Sequence, residues 1–326
     1  MNQLSNEDID IINSASSPVI RLSNNEEVYL KFSNSYNLNI GSLQQEFNIL
    51  EYLHRNKLSA IIPNIVHFIP QQVLAVQYFS PQVYLPLSNY ESSTNTLKFQ
   101  LFTQICNYLN EIHATAVIHA DLKPEHILVN KNNPIDIKII DWNLSFNTNS
   151  QAFTKSFELS KAEFGRFMGS LNYAAVPIHL GYLPTLLTDI ESLIYIMLEL
   201  SDYSAEVTWI HSVSNLLAEA KQFETSDLMA AVTILLDKES NSNVPSHNMD
   251  VDLAEKTNDD VTITNPQAEI QAILKAKQQF SLNCTLREVK ESLTKLHNSI
   301  HFSIADQQKV CKSIYSLLIS VIFRVT

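Results

Sequence analysis

Residues 117–145 read VIHADLKPEHILVNKNNPIDIKIIDWNLS and carry two aspartates, Asp121 and Asp141, at the ends of short apolar, β-branched runs. Val117-Ile118 leads into the turn His119-Ala120-Asp121-Leu122-Lys123-Pro124; Ile127-Leu128-Val129 follows. After a polar hairpin, a third run from Ile137 to Ile140 ends at Asp141. Apolar runs punctuated by such turns predict strands, here with two carboxylates on adjacent strand ends aimed at one point. Phosphoryl transfer uses a pair of this kind, because its catalysis is mostly positioning and charge neutralisation. One carboxylate orients the attacking hydroxyl, and the other holds a metal ion on the phosphates.

The segment resembles the catalytic loop and metal-binding motif of eukaryotic-type protein kinases. The resemblance implies that Asp121 is the catalytic base, that Lys123 contacts the transferred phosphate and that Asp141 is the main metal ligand. Five residues after the base, where the family has an asparagine for a second metal, stands His126. An imidazole there weakens a magnesium site, whereas manganese accepts nitrogen more readily. Trp142 and Asn143 replace the phenylalanine and glycine of Asp-Phe-Gly. Ala120 replaces the loop arginine, so none is ready to receive a phosphorylated activation segment.

A second segment, Gly169-Ser170-Leu171-Asn172-Tyr173-Ala174-Ala175, precedes His179-Leu180-Gly181 and Asp189-Ile190-Glu191-Ser192-Leu193. This run is similar to casein kinase 1 and the vaccinia-related kinases. It implies that the Ser170 hydroxyl bridges the catalytic aspartate and lysine. Asp189, at the start of a buried helix from Ile190 to Leu200, would then accept backbone N–H groups of the catalytic loop. An acidic residue in a first helical turn is also favoured by the helix dipole alone.

The elements that must position these groups follow in order. Val28-Tyr29-Leu30-Lys31-Phe32 predicts a strand carrying one lysine. Ser42 and Gln45 form a capping-box pattern for a helix with Leu43, Phe47, Leu50 and Leu53 on one face, and Glu46 lies on it. Singly, such a lysine and glutamate are usually surface residues; in register with the later motif, the resemblance implies a Lys31–Glu46 pair that holds the α- and β-phosphates. Leu74 to Phe79 reads as a strand running into the connector that contacts adenine, which makes Gln77 and Phe79 nucleotide-binding candidates through their backbone groups. Asn13 to Val19 stands where the family has a glycine-rich loop, with Ser14, Ser17 and Val19 as candidate nucleotide contacts. That stretch contains no glycine; the chain has only Gly41, Gly165, Gly169 and Gly181. Without glycine, positive φ is disfavoured and the loop is stiffer, so weak ATP binding is expected. Thr96 to Ala114 shows the apolar spacing of a core helix.

At 326 residues and 45% apolar content, the chain can bury a full core. The resemblance implies one α+β, two-lobed catalytic unit: a β-rich lobe over residues 1–79 with one helix, and a mostly helical lobe over 80–326. An acidic, polar insertion is expected at 237–262, with helical patterning again at Ala268–Ala276 and Leu286–Ile300. A net charge of −12 argues against nucleic-acid binding through phosphates. Three separated cysteines suggest a reducing, cytoplasm-like compartment. No signal pattern is evident, and the apolar run Ile314 to Phe323 is too short to span a bilayer. His297 and His301 have helical metal-pair spacing but no third ligand. The resemblance implies an ATP-dependent serine/threonine kinase using Mg²⁺ or Mn²⁺ and a protein substrate. Its alternatives are a pseudokinase that acts as a binding module and a small-molecule phosphotransferase.

Overall fold

Strand alternation decides what faces the cleft. In the computed structural model, which describes residues 4–15, 17–32, 43–91, 94–149, 169–210, 266–299 and 301–322, β2 (Glu27–Phe32) buries Val28 and Leu30 on one face and turns Tyr29 and Lys31 to the other. With β1 (Val19–Arg21), β3 (Ile65–Ile69) and β4 (Val73–Gln77) it forms an antiparallel sheet of order β1-β2-β4-β3. Two helices sandwich it. On the Val28 face lies α1 (Asn6–Asn13), capped by Ser5, whose hydroxyl accepts from the Asp8 N–H at 3.1 Å; its Ile12 packs with Leu22, Val28, Leu30, Val73 and Ala75. On the Lys31 face lies α2 (Leu43–Arg55), whose Leu50 and Leu53 join Leu74 and Val76 in the main core.

Below the sheet the chain turns helical, with the strands of the site inserted between helices. A three-stranded sheet has the order β5 (Tyr84–Pro86), β7 (Ile127–Asn130), β8 (Ile137–Ile139), and β6 (Val117–Ile118) pairs with β9 (Phe146–Asn147). The two aspartates therefore follow strands of different sheets rather than adjacent strands of one. The helix α3 (Asn95–Ala114) starts where Thr94 caps it. After α4 (Val176–His179) comes α5 (Leu186–Glu199), in which every residue from Leu186 to Leu198 is buried. A helix apolar all round belongs in a core. Sequence spacing placed its start at Ile190. Thr185 and Thr188 form a reciprocal capping box that starts it four residues earlier, so Asp189 sits inside the first turn.

Three further helices close this lobe: α6 (Pro266–Asn283), α7 (Arg287–Asn298) and α8 (Ile304–Ile322). The apolar run at Ile314 belongs to α8, which packs against α3 and α5. No helix among the described residues is long and apolar enough to cross a membrane. The acidic stretch 237–262 lies outside the described residues. The whole is mixed α+β, a sheet region followed by a helical region.

Candidate active site

Asp141 follows β8 with φ at +64°, and Ala120, just before Asp121, has φ at +67°. A left-handed backbone at a non-glycine residue costs about 1–3 kcal/mol and persists only where the surroundings enforce it. Those surroundings are visible here. The Ala120 and His119 N–H groups donate to the two carboxylate oxygens of buried Asp189 at 2.9 and 2.8 Å. His119 is fully buried: its Nδ1 accepts from the Asp121 N–H, which leaves Nε2–H to donate to the Ile140 carbonyl at 3.0 Å. Burial lowers the pKa of this imidazole, more than nearby Asp189 raises it, in accord with the neutral tautomer. One side chain thus joins the loop of Asp121 to the strand of Asp141.

Lys31 Nζ lies 2.7 and 2.9 Å from the Glu46 carboxylate oxygens and 2.7 Å from Asp141 Oδ1. Burial alone would lower the pKa of the lysine, but the two carboxylates outweigh it and hold the ammonium above its ordinary value. Burial likewise pushes Asp141 up, while the His126 hydrogen bond and the Lys31 charge hold its carboxyl well below the usual range. Glu46 also accepts from the Trp142 N–H at 3.2 Å. Trp142 is fully buried beside His119, with ring centroids 4.7 Å apart. Asn143, in the place of a glycine, has no positive φ and so needs none. Gln45, expected in a capping box, donates its amide to the Ser145 carbonyl at 2.7 Å and ties α2 to the segment after Asp141; Ser42 lies outside the described residues.

Around Asp121, Ser170 Oγ donates to Oδ1 at 2.8 Å, and Lys123 Nζ stands 3.6 Å from Oδ2. Gly169 has φ at +91°, and a Cβ there would meet the Ala120 carbonyl at 3.0 Å, so this glycine is needed for close approach. His126 bridges the two aspartates. Its Nδ1 is 2.9 Å from the Asp121 carbonyl and its Nε2 is 3.1 Å from Asp141 Oδ2. A carbonyl only accepts, so Nδ1 carries a hydrogen; Nε2 either donates a second proton to Asp141 or offers its lone pair to a metal. A ligating histidine is commonly oriented by such a bond from its other nitrogen. Among the described residues no group of three or more His, Cys, Asp or Glu forms a metal cluster. The oxygen–nitrogen pair of Asp141 and His126 fits a divalent ion bound jointly with phosphate oxygens. His297 Nε2–H instead donates to the Glu191 carboxylate at 2.8 Å, and His301 lies edge-on to Tyr182.

The nucleotide side departs further. Ser14 Oγ donates to the Asp10 carbonyl at 2.8 Å, at the end of α1, a helix on the sheet face opposite Lys31. Ser17 Oγ accepts from the Val19 N–H at 3.4 Å. Val19 pairs with Tyr29 and shares the Lys31 face. Among the described residues Lys31 lies on the second strand of its sheet in chain order, whereas kinases carry it on the third, and the element before β1 is the helix α1. Gln77 binds Asn64 through its side chain and its N–H, and the Phe79 ring packs edge-on against Tyr84 at 5.2 Å. Sequence reasoning missed Tyr29, 38% exposed, two residues before Lys31 on the same face. Its signal was present, because the family motif Val-Ala-Ile-Lys has a small residue at that place.

These groups meet as they do in phosphotransferases that act through a lysine–glutamate pair and two aspartates. Residues 17–200 match the protein kinase domain model, more than half of the chain, and the chain belongs to that family. It is 31% identical over 116 residues to the probable serine/threonine-protein kinase dyrk2 of Dictyostelium discoideum, covering 33% of this chain and 13% of that protein. It is 34% identical over 136 residues to serine/threonine-protein kinase 17A of Oryctolagus cuniculus, covering 39% and 32%. A 29% identity over 110 residues links it to the mitogen-activated protein kinase KSS1 of Saccharomyces cerevisiae, covering 31% and 29%. The chain thus matches less than a third of the length of each of these relatives.

Proposed function

We propose that the chain transfers the γ-phosphoryl group of ATP to a serine or threonine hydroxyl of a protein. Asp121 orients the hydroxyl, Lys123 and Ser170 steady it against the phosphate, and Lys31, held by Glu46, contacts the α- and β-phosphates. Asp141 and His126 would hold the divalent ion, which neutralises charge on the phosphates when bound. Val19, Gln77 and Phe79 line the base side; Ser14 and Ser17 belong to the short connection that replaces the glycine-rich loop. One observation carries this reading: Lys31 touches Glu46 and Asp141 at once while Ser170 already binds Asp121. Asp189 and Glu191 around one buried helix support a likeness to casein kinase 1 and the vaccinia-related kinases, and buried free thiols suit a reducing compartment.

A second reading, a binding module without transfer, draws on a different observation. Both Asp141 oxygens are already engaged, by Lys31 and by His126, so only their remaining lone pairs are open to a metal ion. Mass spectrometry of the purified chain incubated with ATP and Mg²⁺ or Mn²⁺ separates the two. Phosphate on serine or threonine, absent in Asp121→Ala, is the expected result. No transfer with either metal to the chain itself or to a panel of serine and threonine peptides, with nucleotide still bound, would establish the binding module instead.

A further inference from the structure

The turn after Gly169 is held from behind by residues beyond the matched stretch. Lys277, on α6, has no solvent exposure. Its Nζ donates to the carbonyls of Leu171 at 2.7 Å and Ala174 at 2.6 Å, and lies 3.1 Å from His179 Nε2. The Nε1–H of Trp209 donates to the carbonyl between them, that of Asn172, at 2.9 Å. The Tyr195 and Trp209 rings stand 5.0 and 5.8 Å from Nζ, which gives the amine an aromatic wall on the sides where it has no oxygen. Three carbonyls within four residues thus point away from the cleft into one buried site.

This site borders the chemistry. Ser170 precedes Leu171 and holds Asp121, while its own carbonyl accepts from the N–H groups of Tyr173 and Ala174. A turn fixed at Leu171 and Ala174 fixes Ser170 between Gly169 and those anchors. A lone buried lysine is costly unless its donors are matched. Burial lowers its pKa to about 7 against the pull of Glu191, yet each charge state satisfies the same three contacts: the amine donates twice and accepts from His179, the ammonium donates three times. The cost is understandable if the turn must not move.

We infer that Lys277 is a positioning residue for the protein substrate, setting residues 170–175 as the ledge on which the acceptor segment lies. The inference rests on the kinase reading above. The test compares Lys277→Met and Lys277→Gln with wild type in two measurements: steady-state kinetics with a serine peptide, and amide hydrogen exchange of residues 171–175. Lys277→Met should raise the peptide KM by about tenfold while the ATP KM moves less than about twofold, because the peptide alone loses its ledge. Exchange at 171–175 should quicken, with α5 unchanged. Lys277→Gln, whose shorter amide can reach one carbonyl, should fall between, and it carries the test if Lys277→Met does not fold. Wild-type exchange in folded variants, or equal rises in both KM values, would overturn the role. If wild type transfers no phosphate while exchange responds as expected, the kinase reading fails but the anchoring of the turn by Lys277 stands.

Discussion

The floor and the roof of the cleft follow different rules. On the floor, Ser170 binds Asp121, Asp189 binds the backbone just before it, and Lys31 with Glu46 reaches down to Asp141. On the roof, no glycine lies between α1 and β1, a helix precedes β1, and Tyr29 occupies a small-residue position. Under the proposed function, the groups assigned to the transferred phosphate follow the family pattern, while those assigned to enclosing the nucleotide depart from it.

The most severe way to test that contrast is on the floor. Asp121→Ala should lower turnover by about 10²–10⁴-fold, the usual loss for a positioned acid or base, with nucleotide binding intact. Asp141→Ala should abolish transfer and also weaken metal-dependent nucleotide binding, since it alone of the two is assigned to the metal in the proposed function. Titration calorimetry beside the rate assay distinguishes them; equal binding losses in both variants would break the division of roles.

On the roof, Tyr29→Ala should tighten ATP binding by about tenfold, worth about 1.4 kcal/mol, if the ring crowds the base side. A comparable loss of affinity would mean instead that the ring stacks on the base. On the floor, between the two aspartates, lies His126. His126→Asn should raise the Mg²⁺-supported rate by about threefold and narrow the preference for Mn²⁺, because an amide oxygen suits magnesium better. Unchanged rates with both metals would remove His126 from the ligand set.

The smallest effect concerns stability. Lys277 is depressed to about 7 in the folded chain, so between that value and its ordinary range the unfolded chain binds more protons and stability rises with pH. His179, depressed to about 3 by burial and by Lys277, acts in the same direction below neutrality: stability falls as the pH drops from its ordinary range toward 3. Glu191 of α5, held low despite burial by its contacts with His297 and Tyr195, faces both groups and limits the effect. Melting temperature should climb by about 1–3 °C from pH 7 to 9 in wild type and remain flatter in Lys277→Met.

Much of the floor was legible in the sequence because chemistry there is tied to spacing. Lys123 and His126 sit two and five residues from Asp121, and these intervals survive folding. The Lys31–Glu46 pair needed only a strand and a helix in the right order. The roof was less legible, since an absent glycine motif marks no replacement position; no element was expected over Asn6–Asn13, where α1 forms. Lys277 was invisible for another reason. A lysine on a helix of mixed polarity reads as solvated, and only the packing of Tyr195, Trp209 and Phe280 around it shows otherwise. The helix α5 was anticipated, but its onset was not, because threonine capping at Thr185 outweighed the apolar periodicity.

The hydrogen bonds from His119 and Ala120 to Asp189 have a kinetic meaning of their own. Asp189 belongs to a helix buried on every side, so those two amides have no local opening that leaves the core closed. Their exchange with solvent should require the whole helical region to unfold and should report its global free energy, whereas amides on the edge strand β1 should open independently. The loop of Asp121 should thereby be one of the last parts of the molecule to loosen under denaturant.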